Sequence, residues 1–263
     1  WVLASVVLLF TLHTGIYGLN SYSSPLADDI RLQVADHPYN TTELAEATTY
    51  FRDMANELAP KIRNENGERV LSDFDTLAAL TGDGFRTLAR ERSYSIFGGD
   101  YTPVKKLGWA PIYSALGKTG VTVALTGEAA VNPNIPDQGL PFAMAHEMAH
   151  RLCVARDDEA NFSAFLACSV HDDLAFRYSG YFMAYRYCYN ALAKADRAAL
   201  KEIHAGCNEL FRRDIRFYDA FFAKEKNQVA STVANTANNA YIQASGDNKG
   251  IASYGMVATQ LVS

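Results

Sequence analysis

No block of lysine or arginine occurs anywhere in these 263 residues, and 24 basic against 29 acidic side chains leave a net charge of −5. That excludes nucleic acid as a partner, since such partners are held by a concentrated basic face. No C-x-x-C pair occurs either. Cys153, Cys168, Cys188 and Cys207 stand far apart in apolar surroundings, so free buried cysteines are expected, with disulfides open only for an extracellular domain and in no pairing that spacing fixes. Internal repeats and low-complexity segments are absent. Charge is missing altogether from Trp1–Leu19, which contains no Asp, Glu, Lys or Arg.

A run of that length is about enough to cross a bilayer. We therefore expect a transmembrane helix over 1–19, the end of a longer membrane region, because the chain opens on Trp. A signal peptide fits less well, for want of a basic start and a small-x-small cleavage site; a buried core helix is the plainer alternative. Asp28 and Asp29 precede the first basic residue, Arg31. Cytoplasmic flanks are normally Lys/Arg-rich, so the expected location is the cell membrane with the domain on the extracellular side. Residues 20–38 read as a polar linker and 39–263 as one domain.

What is present is organised around Leu140–Val170. His146-Glu147-Met148-Ala149-His150 is an H-E-x-x-H motif among good helix formers. On a helix, positions four apart share a face, so both imidazoles can aim at one point with Glu147 beside it. Two neutral imidazoles and a nearby base are what a catalytic zinc uses. Three fixed residues recur by chance in roughly 1% of chains this long, so the setting decides. Phe142, Ala143, Met144, Ala145, Met148 and Ala149 make the helix apolar on most sides, and buried histidines and carboxylates need partners.

A third ligand is needed. On a straight helix Glu159 would lie about 13 Å beyond His150, so the chain must turn back. The candidates are Glu159, Asp158, Asp157 and His171. Glu159 is favoured, in the first turn of a second helix over Glu159–Val170, with Asp157 and Asp158 read as residues that cap it. Asn161 can orient a ligand from behind, or cap a helix. Asp214 and Asp219 can receive a histidine N–H, or form surface ion pairs.

Outside the motif, Asn40 with Glu43 predicts a capping box and a helix to about Asn64. Ser72 with Asp75 predicts a second helix start, weakened by Gly82 and Gly84. Gly120–Thr126, rich in β-branched residues, is the best strand. It is either a core strand or an edge strand that pairs with an extended peptide. Gly127–Asn132 leads toward the motif helix, with Glu128 and Asn132 near the cleft. Helices are expected from Asp172 to about Leu192, over Lys194–Arg213, over Ile215–Val233 and over Ile251–Val262. Tyr178, Tyr181 and Tyr254 are considered as oxyanion donors; Tyr178 and Tyr254 are taken forward.

H-E-M-A-H followed by D-D-E-A-N-F resembles the gluzincin-like zincin metallopeptidases in which a Glu-Ala-Asn segment opens the next helix and supplies the third ligand. The chain more closely resembles the DUF3810 family of membrane-anchored, zincin-like bacterial proteins, through Gly127–Asn132, Tyr178–Tyr181 and Gly250–Gly255 as well. One departure is Cys153, where the family pattern has a glycine that would end the helix in a left-handed cap. The resemblance implies an α+β, mostly α, zincin-like domain with a small sheet after a transmembrane helix. It implies a membrane-anchored zinc metallopeptidase with His146, His150 and Glu159 on Zn2+, Glu147 as general base, and a peptide or protein as substrate. The alternatives are a non-catalytic binding domain whose metal is closed by a fourth ligand such as Cys153, and a zinc hydrolase of a non-peptide bond. Oligomeric state is open.

Overall fold

Leu26 and Ile30 drop into the main core, and burying two such side chains is enough to hold a short segment against a domain. They flank a single helical turn, α1 (Leu26–Asp29), inside the stretch expected as a linker. The structure, a computed structural model, describes residues 1, 3–8, 10–11, 15, 24–32, 39–123, 126–225 and 257–262.

The expected transmembrane helix is corrected here. Among the described residues no helix is long and apolar enough to cross a membrane. Of that run, residues 3–8 are helical and exposed, a described helix far shorter than the roughly 20 residues a span takes.

The long helix α2 (Thr41–Lys61) begins at the predicted capping box, in which Asn40 and Glu43 exchange backbone hydrogen bonds, and it ends one residue after Pro60. Asp73, not Ser72, caps α3 (Phe74–Leu80), because its carboxylate accepts the Asp75 and Thr76 N–H groups. The chain steps at Thr81 into α4 (Gly82–Glu91). Gly84 is there for room: a Cβ would collide with the Ala167 carbonyl of a helix described below.

Among the described residues the sheet has three strands in the order β1–β3–β2. Central β3 (Glu128–Val131) pairs in parallel with β1 (Lys105–Lys106) and antiparallel with β2 (Gly120–Val123), Gly120 opposite Val131. A short helix, α5 (Ala110–Ala115), lies between β1 and β2. The predicted strand is thus found at the sheet edge, over 120–123. β3 was missed because E-A-A-V has little β-branching and reads as a lead-in.

Over residues 140–225 five helices follow the sheet: α6 (Leu140–Arg151), α7 (Asp157–Ser169), α8 (Leu174–Ala195), α9 (Arg197–Ala205) and α10 (Glu209–Glu225). The last described element is α11 (Val257–Val262). Asp173 rather than Asp172 caps α8. The expected break at Asp214 falls instead at Gly206–Asn208, and Asp214 lies within α10. One core cluster surrounds α6, α7 and the sheet, and a second lies between α2 and α8. The mostly helical architecture with a small sheet agrees with expectation. All four cysteines are free.

Candidate metal centre

Helix α6 runs through the main core and buries Leu140, Phe142, Ala143, Met144, Ala145, Met148 and Ala149. Its first turn is tied to α8, where the Ser179 hydroxyl accepts the Phe142 N–H at 3.0 Å. That apolar jacket holds His146 and His150 on one side, with their Nε2 atoms 3.2 Å apart.

The end of α6 decides the rest. The Val154 N–H reaches the Ala149 carbonyl at 3.1 Å and the Cys153 N–H reaches His150 at 3.0 Å, the paired bonds of a Schellman cap. Cys153 takes the left-handed position, φ 70°. Cysteine thus manages the turn that a glycine would make more easily, at about 1–2 kcal/mol for a left-handed L-residue. Cys153→Gly is therefore expected to raise stability by up to about 1 kcal/mol after the extra unfolded-state freedom of glycine is subtracted. Thermal melting of the variant checks this, and a lower midpoint would contradict it. The cap has a chemical consequence too. It sets the Val154 carbonyl 2.8 Å from His150 Nδ1, so Nδ1 donates there, and in the neutral ring Nε2 is the nitrogen left with the lone pair.

After the cap the chain turns back and α7 begins at Asp157. Asp157 Oδ1 lies 3.3 Å from His150 Nε2 and 4.0 Å from His146 Nε2. Ligand atoms of His146, His150 and Asp157 all fall within 4.8 Å of one another. Around a tetrahedral ion at 2.0–2.2 Å, ligand atoms sit roughly 3.3–3.6 Å apart; two of the three separations are at that scale, and the His146–Asp157 separation of 4.0 Å is wider. The donor set of two imidazole nitrogens and one carboxylate also suits zinc. Asn161, four residues after Asp157 and so on its face, accepts from the Tyr187 hydroxyl at 2.9 Å.

The structure corrects the third position. Glu159 does not join the cluster. Its Oε1 accepts the Leu26 N–H at 3.0 Å and pairs with Arg156 at 2.7 Å, so it ties α1 to α7. The error came from the helix start: α7 opens two residues earlier than expected, which moves Asp157 from a capping position into the first turn. Asp158 is buried with Oδ1 unpartnered, and burial, then the Glu159 charge, push its carboxyl up to about 6. His171 is structural. Its Nε2 bonds the Leu80 carbonyl, its Nδ1 the Asp173 N–H, and its ring stacks on Phe176 at 4.1 Å.

The other expected residues divide as follows. Tyr178 points away from the cluster: its hydroxyl donates to Asp214 at 2.5 Å, and Asp214 pairs with buried Arg63 at 2.6 Å. Burial and the Asp214 charge hold the phenol well above its usual range. Tyr254 lies outside the described residues. Tyr181 packs against Phe165 and Tyr50. Asp219 pairs with Arg186. Glu128 pairs with Lys105 on the sheet surface, and Asn132 makes a structural bond to Ser114. Thr122 was missed. Its hydroxyl donates to Glu147 Oε2 at 2.7 Å, and no sequence pattern links a strand threonine to a helix glutamate 25 residues on.

Glu147 is 4% exposed. Burial raises its carboxyl to about 7, against the opposing pull of His150 and Thr122. Burial, with the His150 charge, lowers His146 to about 4. Burial also works against the charged form of His150, but the Asp157 hydrogen bond, the charges of Glu147 and Asp157 and the Val154 carbonyl outweigh it and hold His150 up to about 9. A raised histidine pKa stabilises the fold below its unfolded value near 6.5, and that stabilisation is lost as pH rises through about 9. Glu147, raised from 4.5 toward about 7, acts in the same direction over a lower window. Chelator-treated protein is therefore expected to melt at progressively lower temperature from pH 6.5 to 9, and zinc-loaded protein is not. A chelated protein whose midpoint holds or rises over that range contradicts these shifts.

Fold and site together define a mostly helical protein with a small sheet and a two-histidine, one-aspartate cluster centred on an H-E-x-x-H helix. The chain belongs to the DUF3810 family, described as protein of unknown function, which matches over residues 1–262. No curated protein and no solved structure matches it.

Proposed function

We propose that this protein is a zinc-dependent metallopeptidase. The observation that carries the reading is the convergence of His146 Nε2, His150 Nε2 and Asp157 Oδ1 within 4.8 Å, beside a buried carboxylate on the same helix. When bound, zinc supplies Lewis acidity and a water acidic enough to react near neutral pH. Glu147 takes a proton from the attacking water and returns it to the leaving amine. His150 keeps its reactive nitrogen turned to the centre through Val154.

The substrate is an extended peptide. β2 is an edge strand packed against α6, and an edge can take one more strand through its backbone groups. A closed structural metal needs a fourth protein ligand. Among the described residues the cluster has three His, Cys, Asp or Glu members, and Cys153 is not one of them. That favours a catalytic over a structural metal. Iron(II) also accepts two histidines and a carboxylate, but a buried general base beside the set favours hydrolysis.

The test is cleavage of a quenched-fluorescent peptide library by zinc-loaded protein. Cleavage should stop with 1,10-phenanthroline and return with added zinc. Stoichiometric zinc with no cleavage of any peptide would sink the peptidase reading.

A further inference from the structure

Strand β2 packs against α6, and both Thr122 and Gly120 close there on Glu147. From the geometry we infer that Thr122 is a positioning residue for the Glu147 carboxylate, and that Gly120 is glycine because that carboxylate lies where its side chain would be. The inference rests on the reading of Glu147 as general base.

Three observations support it. The Thr122 hydroxyl is 2.7 Å from Glu147 Oε2 and 3.2 Å from the Glu147 carbonyl, so one donor spans the side chain and the backbone of the same residue. Gly120 lies two residues earlier, and alternate residues of a strand share a face. A Cβ at Gly120 would sit 2.5 Å from Glu147 Oε1, 2.6 Å from Cγ and 2.8 Å from Cδ. Gly120 is not among the residues with positive φ, so space and not backbone conformation calls for glycine there.

A glutamate's last torsion is broad and two-fold. Without a fixed donor, the plane of a buried carboxylate is set only by packing. Threonine suits the task because branching at Cβ restricts χ1, so its hydroxyl is already aimed when the carboxylate arrives. The donor holds Oε2, and the missing side chain of Gly120 leaves room for Oε1 beside the strand. Because the clamp is built into the strand that faces a peptide, substrate register and base direction are fixed by the same four residues.

The variants are Thr122→Val, which keeps shape and removes the hydroxyl, Thr122→Ser, which keeps the hydroxyl, and Gly120→Ala. Each is measured for zinc content, melting temperature, kcat and KM on a peptide from the library, and affinity for acetohydroxamate. That small zinc chelator gives up a proton to a neighbouring base as it binds, so it reports on the base without turnover.

We expect Thr122→Val to keep its zinc and to lose about 100-fold in kcat, the scale of a misplaced reacting group, with KM changed less than about threefold. Acetohydroxamate should bind about tenfold more weakly, the 1.4 kcal/mol scale of one hydrogen bond. Thr122→Ser should restore most of both. Gly120→Ala should resemble Thr122→Val, and it carries the test if Thr122→Val does not fold. Unchanged kcat and acetohydroxamate affinity in Thr122→Val, or equal damage in Thr122→Ser, overturns the inference. If wild type binds acetohydroxamate but cleaves no peptide, the peptidase reading fails and the chelator series alone decides the clamp. If zinc-loaded wild type does not bind acetohydroxamate, both fall.

Discussion

Asp157→Asn is expected to weaken zinc binding by more than about 100-fold, while Glu159→Gln leaves it within a few-fold of wild type. Removal of a group behind a ligand typically costs 10–100-fold, and loss of a ligand itself exceeds that. The amide of asparagine keeps the size of Asp157 but not the charge that sits 3.3 Å from His150 Nε2. Glu159 has other work. It is 6% exposed and accepts from the Leu26 N–H and Arg156, so neutralising it should lower stability by about 1.5–3 kcal/mol, the range for hydrogen bonds to a charged group. Competition with a chromophoric zinc chelator reads the first effect, and thermal melting reads the second. Equal zinc affinity in the two variants would remove Asp157 from the site. A selective loss in Glu159→Gln would restore the ligand expected from sequence and would mean that α7 rearranges around the ion.

Glu147→Gln is expected to hold stoichiometric zinc and to lose about 10²- to 10⁴-fold in peptide cleavage, the usual contribution of a positioned acid–base group. The two halves of that result come from different residues. Metal retention follows because Glu147 is not among the clustered ligands and because its carboxylate is turned toward β2 through Thr122. Loss of cleavage follows because glutamine cannot take a proton from water. His146→Ala or His150→Ala should lose the metal itself. A folded Glu147→Gln protein without zinc would make Glu147 a ligand, and one with undiminished cleavage would assign the proton to another base.

The contrast between Asp157 and Glu159 shows where reading the chain stopped. A helix over the motif, a break after His150 and a second helix bringing a carboxylate back were all legible. Each follows from short-range rules: helical spacing, the run of Ala and Met, and the axial distance that rules out a straight helix. Which carboxylate returned was not legible, because Asp157, Asp158 and Glu159 are consecutive and a shift of two residues in the helix start rotates each to a new direction. The start is set by the cap at Cys153 and Val154, and by Leu26, whose N–H reaches Glu159 from 133 residues away in sequence. Tyr178 failed for a related reason. A tyrosine near the motif in sequence suits an oxyanion donor, but α8 turns it toward Asp214, and buried Arg63 from the end of α2 completes that pairing. The membrane span stands apart, because the helix described there covers residues 3–8, too short to cross a bilayer.

By itself the amino-acid sequence determined the motif helix, its burial, the two histidines and the carboxylate beside them, the capped start of α2 and the strand at 120–123. These are local properties, carried by residues within a few turns of one another. Only the tertiary structure decided that Asp157 completes the cluster, that Glu159 ties down the chain near Leu26, and that Thr122 and Gly120 close on Glu147. In each case the physical reason is that two distant segments meet, and hydrogen-bond direction and close approach across such a meeting depend on ångström-scale packing that no single stretch of sequence encodes.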